Sequence, residues 1–162
     1  MTKTAAQRAF QAITQAPGFA LGIRCDGDEI IEIVYLPPRP ALAPTTPLAA
    51  EAVRQIQAYL ADPGFVFGLP LRPSGTQFQR RVWQQISAIP RGQVLRYGDV
   101  AKALHSGPRA VGGACGANPF PLVVPCHRVV SASGLGGFGR NSGDFLLDIK
   151  RWLLDHEGCT PS

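Results

Sequence analysis

Between Asp62 and Ser74 the chain meets Pro63-Gly64, Pro70 and Pro73 in quick succession. Proline has no backbone N–H and a fixed φ, so no helix or central strand runs through such a series. Residues 62–74 therefore read as the boundary between two small modules, 1–74 and 75–162. A chain of 162 residues that is 45% hydrophobic and 17% charged has enough apolar surface to give each a core, which excludes a disordered tail.

Upstream of that boundary, Phe19 to Cys25 and Ile30 to Tyr35 flank Asp26-Gly27-Asp28-Glu29 and predict a β-hairpin. Prolines 37, 38, 40, 44 and 47 then exclude further sheet, and the apolar period from Leu48 to Leu60 predicts a helix. Downstream, Thr76 with Gln79 forms a capping-box signature, and Phe78, Val82 and Ile86 fall on one helical face that ends before Pro90. Arg91-Gly92 is a turn and Gln93 to Tyr97 an extended piece. Asp99 is placed to cap a compact helix to Leu104, which Ser106-Gly107-Pro108 stops.

Arg109 to Gly116 reads Arg-Ala-Val-Gly-Gly-Ala-Cys-Gly. Each interior glycine costs a helix about 1 kcal/mol against alanine, so this run is helical only if a nearly side-chain-free surface is useful. Helix, three-residue turn, helix is the helix-turn-helix outline. Leu122 to Pro125 predicts a short buried strand that delivers Cys126 and His127 at its end, followed by a glycine-rich loop, Ser131 to Gly143. The last helix, Asp144 to Glu157, places Phe145, Ile149, Trp152 and Leu153 on one stripe before Gly158.

The formal charge of +5 is unevenly divided. Residues 1–74 hold six bases and six acids, residues 75–162 ten bases and five acids, so the second module is the one suited to a polyanion. No apolar stretch approaches the roughly 20 residues of a membrane span, and Met1 to Phe10 has no apolar core behind its basic residues. The expectation is a soluble cytoplasmic protein. Cys25, Cys115, Cys126 and Cys159 lack CxxC spacing and clustered histidines, so they read as thiols, with neither a disulfide framework nor a zinc site.

Pro125-Cys126-His127-Arg128 puts a soft nucleophile beside a base. In an extended segment neighbouring side chains point to opposite faces, which favours a bridging water for proton transfer. A third group must orient the imidazole, and Glu157 is the acid nominated for it. A Cys-His dipeptide alone is also compatible with an inert buried cysteine.

The second module resembles the O6-alkylguanine-DNA alkyltransferases, or methylated-DNA–protein-cysteine methyltransferases. The resemblance spans about residues 75–158 and rests on ordered blocks. These are Gly75-Thr76-Gln77-Phe78-Gln79, Val82-Trp83, Ile89-Pro90-Arg91-Gly92, Tyr97-Gly98, Arg109-Ala110-Val111-Gly112, Asn118-Pro119, Pro125 to Val129 and Leu153 to Gly158. The fold it implies is α/β: a small N-terminal α/β domain resembling a ribonuclease-H-like core, and a mainly helical C-terminal domain with a winged helix-turn-helix.

Carried over position by position, the resemblance makes Cys126 the alkyl acceptor, His127 its base and Glu157 the group that holds His127. It makes Asn118 the brace of the active-site turn and Tyr97 the residue that supports the leaving guanine and crowds the neighbouring phosphate, which helps turn the base out. Arg109 becomes the finger that fills the space of an extruded nucleotide, and Ala110, Gly113 and Ala114 the small residues that let the helix approach the minor groove. Val129, Phe138 and Gly139 line the base pocket. Phe138 and Gly139 depart from the tyrosine and small residue common in the family. The implied partner is double-stranded DNA containing O6-alkylguanine, met by a monomer, with no cofactor, no metal and no membrane. Three rivals are an alkyltransferase-like lesion sensor, which lacks the cysteine; a winged-helix regulator, which has no use for Pro-Cys-His-Arg; and a Cys-His-acid hydrolase, which would turn over.

Overall fold

The computed structural model describes residues 9–132, 134–135 and 144–159, with Asp144 as backbone only. The chain forms two compact units, Met1–Pro73 and Ser74–Ser162. Strands and helices occur in both, so the class is α/β.

In the first unit, β1 (Ala12–Ala16), β2 (Phe19–Asp26) and β3 (Glu29–Leu36) form an antiparallel sheet in that order. β2 and β3 make the expected hairpin, with Asp26 opposite Glu29 and Gly27 at φ +62°, the left-handed position that a II′ turn reserves for glycine. β1 was not foreseen. Its Pro17-Gly18 turn, with Gly18 at φ +83°, returns the chain so that Ala16 faces Phe19. Helix α1 (Pro47–Ala61) begins where Thr46 accepts from the Ala49 N–H, and it buries Ala49, Ala52, Ile56 and Tyr59 at helical spacing.

The proline-rich segment closes this unit instead of hanging free. The Ile30 N–H donates to the Pro70 carbonyl at 2.8 Å and the Arg72 N–H to the Ile30 carbonyl at 2.9 Å. The Gln55 amide both donates to and accepts from the Gly68 backbone.

The second unit contains α2 (Gln77–Ser87), α3 (Tyr97–Ala103), α4 (Pro108–Gly116) and α5 (Asp144–His156), with a two-residue parallel pairing of β4 (Leu95–Arg96) and β5 (Val129–Val130). The Thr76/Gln79 capping box is present, and α2 buries Val82, Trp83 and Ile86. Helix α3 starts two residues before the predicted Asp99. Asp99 is its third residue and its carboxylate accepts from the Arg96 N–H at 3.0 Å, a capping interaction made from inside the helix. Four residues, not three, separate α3 from α4, with His105 at φ 55° among them.

The predicted strand 122–125 is absent. Prolines at 121 and 125 remove two donors, and the segment instead coils through turns, with Leu122 at φ 78°. Helix α5 keeps its predicted span but shifts its buried face: Ile149, Lys150, Leu153 and Leu154 are inside, while Phe145 and Trp152 are half-buried. Trp152 stacks on His156 at 4.7 Å between ring centroids.

Candidate active site

Helix α4 ends at Gly116 with Ala117 as its C-cap, and Asn118 after that organises the following turn. Its Oδ1 accepts from the Phe120 N–H at 2.9 Å, while its amide donates to the Val124 carbonyl at 3.0 Å and to Cys126 Sγ at 3.3 Å. Pro125, at φ −82° and ψ 65°, is the centre of an inverse γ-turn in which the Cys126 N–H donates to Val124 at 2.8 Å. Cys126 to Arg128 then make one 3₁₀ turn. The expectation that Cys126 and His127 leave an extended strand is therefore corrected: a tight turn presents them, and the Asn118 side-chain amide holds the sulfur.

His127 is fully buried. Its Nε2 lies 2.8 Å from Glu157 Oε2, a carboxylate that is itself only 1% exposed. Desolvation holds the imidazole below its ordinary 6.5, so the neutral ring is favoured. With Nε2–H donating to the carboxylate, Nδ1 carries the lone pair. Nδ1 is buried and has no hydrogen-bond partner among the described residues.

Sequence reasoning gave Arg128 no role, yet its guanidinium completes the arrangement. Nε donates to Glu157 Oε1 at 2.8 Å, one terminal nitrogen to Oε2 at 3.1 Å, and the other to the Ile89 carbonyl at 2.7 Å. Glu157 occupies the C-cap of α5. Gly158 at φ +77° follows, with its N–H on Asp155 and the Cys159 N–H on Leu154, the paired bonds of a Schellman motif. A carboxylate at the negative end of a helix dipole is unfavourable by itself. The Arg128 fork and the His127 N–H compensate for it.

Lys150 is the second unforeseen member. It is buried, its Nζ donates to the Val129 carbonyl at 2.7 Å and lies 5.8 Å from the Tyr97 ring centroid. Desolvation brings its ammonium down to about 8, while the neighbouring Cys115 and Cys126 sulfurs act to raise it. The Cys126 thiol is pushed up by its hydrogen bond with Cys115 and by burial; the same bond pulls Cys115 down. Burial raises the Tyr97 phenol, which therefore stays protonated. A signal for Lys150 existed in sequence: it falls three residues before Leu153 and seven before Glu157, on the inner face.

Of the remaining predicted residues, Val129 is fully buried in β5, and Arg109, Ala110 and Gly113 lie exposed on α4. Ala114 does not join them. It is 3% exposed, and its carbonyl accepts from the Trp83 indole N–H at 2.9 Å, because α4 packs this side onto α2. Phe138 and Gly139 lie outside the described residues. Among the described residues no three His, Cys, Asp or Glu side chains are grouped to hold a metal.

Residues 77–159 match the family model for the 6-O-methylguanine DNA methyltransferase DNA-binding domain. The chain belongs to the methylated-DNA–protein-cysteine methyltransferase family. A relative of that name from Methanosarcina acetivorans is 45% identical over 111 residues, 67% of this chain and 68% of its own. One from Mycobacterium leprae is 41% identical over 128 residues, 76% of this chain and 78% of its own. Among solved structures, Mycobacterium tuberculosis OGT in complex with DNA is similar with a TM-score of 0.71 and 34% identity, covering 90% of each chain.

Proposed function

We propose that this protein repairs duplex DNA by moving the alkyl group of an O6-alkylguanine onto Cys126, once per molecule, after the damaged nucleotide is turned out of the stack. The observation that carries this reading is the half-buried Asn118–Cys126 contact beside the buried His127–Glu157 pair: one amide fixes the sulfur, and one carboxylate fixes the base. A water between them passes the thiol proton to His127 Nδ1. Sγ attacks the alkyl carbon in line, the carbon–O6 bond breaks, and its electron pair stays with the guanine oxygen. Glu157 stabilises the imidazolium that forms. The protonated Tyr97 hydroxyl donates a hydrogen bond to the leaving guanine, which recovers a proton to become normal guanine. The thioether product has no carbonyl for water to attack, so the sulfur stays alkylated.

DNA recognition falls to α3 and α4, used as a winged helix-turn-helix with α4 in the minor groove. A Cβ at Gly112 or Gly113 would meet nothing within 4 Å, so the fold does not require glycine there. The helix cost of about 1 kcal/mol each is explained by an external surface that must come close. Arg109, on the exposed first turn, fills the place of the extruded nucleotide, whose removal from the stack costs a few kcal/mol. Val129 lines the base pocket. The N-terminal unit supplies a reduced ribonuclease-H-like core, and the protein acts as a cytoplasmic monomer without a cofactor.

The test is Arg109→Ala assayed on two substrates. Reaction with a paired O6-methylguanine should slow at least ten-fold, while reaction with free O6-benzylguanine, which needs no extrusion, stays within two-fold. Equal losses on both would overturn the finger role.

A further inference from the structure

Cys115 belongs to none of the steps above, yet its thiol neighbours that of Cys126 closely enough for each sulfur to shift the acidity of the other. The two come from different elements, the last turn of α4 and the Cys126 turn. Asn118 holds them in register: its N–H donates to the Cys115 carbonyl at 3.2 Å and its side-chain amide to Cys126 Sγ at 3.3 Å. Lys150 interacts electrostatically with both sulfurs and stabilises whichever is the thiolate. Cys115 is also the more exposed of the pair, half-buried against 3% for Cys126.

We propose that Cys115 and Cys126 form a reversible disulfide that shelters the acceptor sulfur from a hydroperoxide. The Cys115 thiolate attacks one oxygen of hydrogen peroxide; the O–O bond breaks, water leaves after protonation, and a sulfenic acid remains. Cys126 Sγ then attacks the Cys115 sulfur, the S–O bond breaks and a second water leaves. Two thiols and one peroxide thus give one disulfide and two waters. A dithiol reductant reverses the bond by exchange, whereas a cysteine driven to the sulfinic acid is lost. The bond itself does not depend on alkyl transfer; its value as shelter rests on Cys126 being the acceptor.

The test treats the full chain with a few equivalents of hydrogen peroxide, blocks free thiols with N-ethylmaleimide, and maps non-reduced peptides by mass spectrometry. The expected result is an intramolecular Cys115–Cys126 cross-link, with Cys25 and Cys159 still labelled. Dithiothreitol should then restore both labelling and methyl acceptance. In Cys115→Ser, Cys126 should pass to the sulfinic acid, and recovery with dithiothreitol should fall at least ten-fold below the unsubstituted chain. If that variant fails to fold, the peptide map of the unsubstituted chain decides alone. A sulfinic Cys126 beside an unmodified Cys115, or cross-links to Cys25, Cys159 or a second molecule, would overturn the proposal. A Cys115–Cys126 cross-link in a protein that never accepts methyl would leave the disulfide standing and remove the acceptor reading.

Discussion

Glu157 is the residue on which the site turns. It lies where a helix least favours a negative charge, is almost fully buried, and answers to both His127 and Arg128. Removing its charge in Glu157→Gln leaves Arg128 without its ionic partner, so unfolding free energy should drop by roughly 3–5 kcal/mol in a denaturant titration. Single-turnover transfer should slow as well, since the glutamine amide no longer fixes the imidazole tautomer. Acidity should act through His127. The folded ring is held below its ordinary 6.5 by burial, so as pH falls below that value the unfolded chain binds a proton before the fold does. The stability contributed by the neutral ring is then lost, and the base is lost with it; stopped reactions between pH 7.5 and 5 should show the rate falling, and a flat profile would exclude His127 as the base. Cys126, His127 and Glu157 were legible in sequence because nucleophile, base and acid are recognisable residue types. Arg128 was not, because a buried cation looks like a surface cation until its carboxylate or carbonyl partner is placed, and Lys150 was marked only by its place on the inner face of the last helix.

Among the elements, α2 was the most legible, since Thr76 and Gln79 announce its start locally. Thr76→Ala should cost about 1 kcal/mol by thermal unfolding. Gly75 is more demanding: at φ +86° it adopts a backbone that side chains resist, and a Cβ would sit 2.6 Å from the Trp83 ring. Gly75→Ala should therefore destabilise more than Thr76→Ala, and it should loosen the Trp83–Ala114 contact that seats α4. The 122–125 strand does not form although the run is apolar, because Pro121 and Pro125 remove the donors that a sheet would need. β1 was missed because its turn, Pro17-Gly18, follows a strand of only five residues that includes Thr14 and Gln15. Ala114 was misplaced because a helix this poor in side chains gives the eye no polar face to separate from the apolar one.

For the molecule as a whole, the even charge of residues 1–74 and the excess of bases over acids in residues 75–162 set where a polyanion is met. Binding to duplex DNA should weaken steeply between about 50 and 200 mM salt, with a log–log slope that grows with the number of phosphates contacted. A slope near zero would contradict recognition through that basic unit. The separation into two units was written in the proline series, but its pairing with Ile30 was not, since a proline-rich stretch gives no local sign of which strand edge it will join. The whole reaction depends on Cys126 as the acceptor. Its most direct test is intact-protein and peptide mass spectrometry after mixing the chain with a duplex carrying a single O6-methylguanine. One methyl group gained per protein, mapped to Cys126 and stopping after one equivalent, is the predicted result; tight binding without any gain in mass, or a methyl group on another residue, would contradict it.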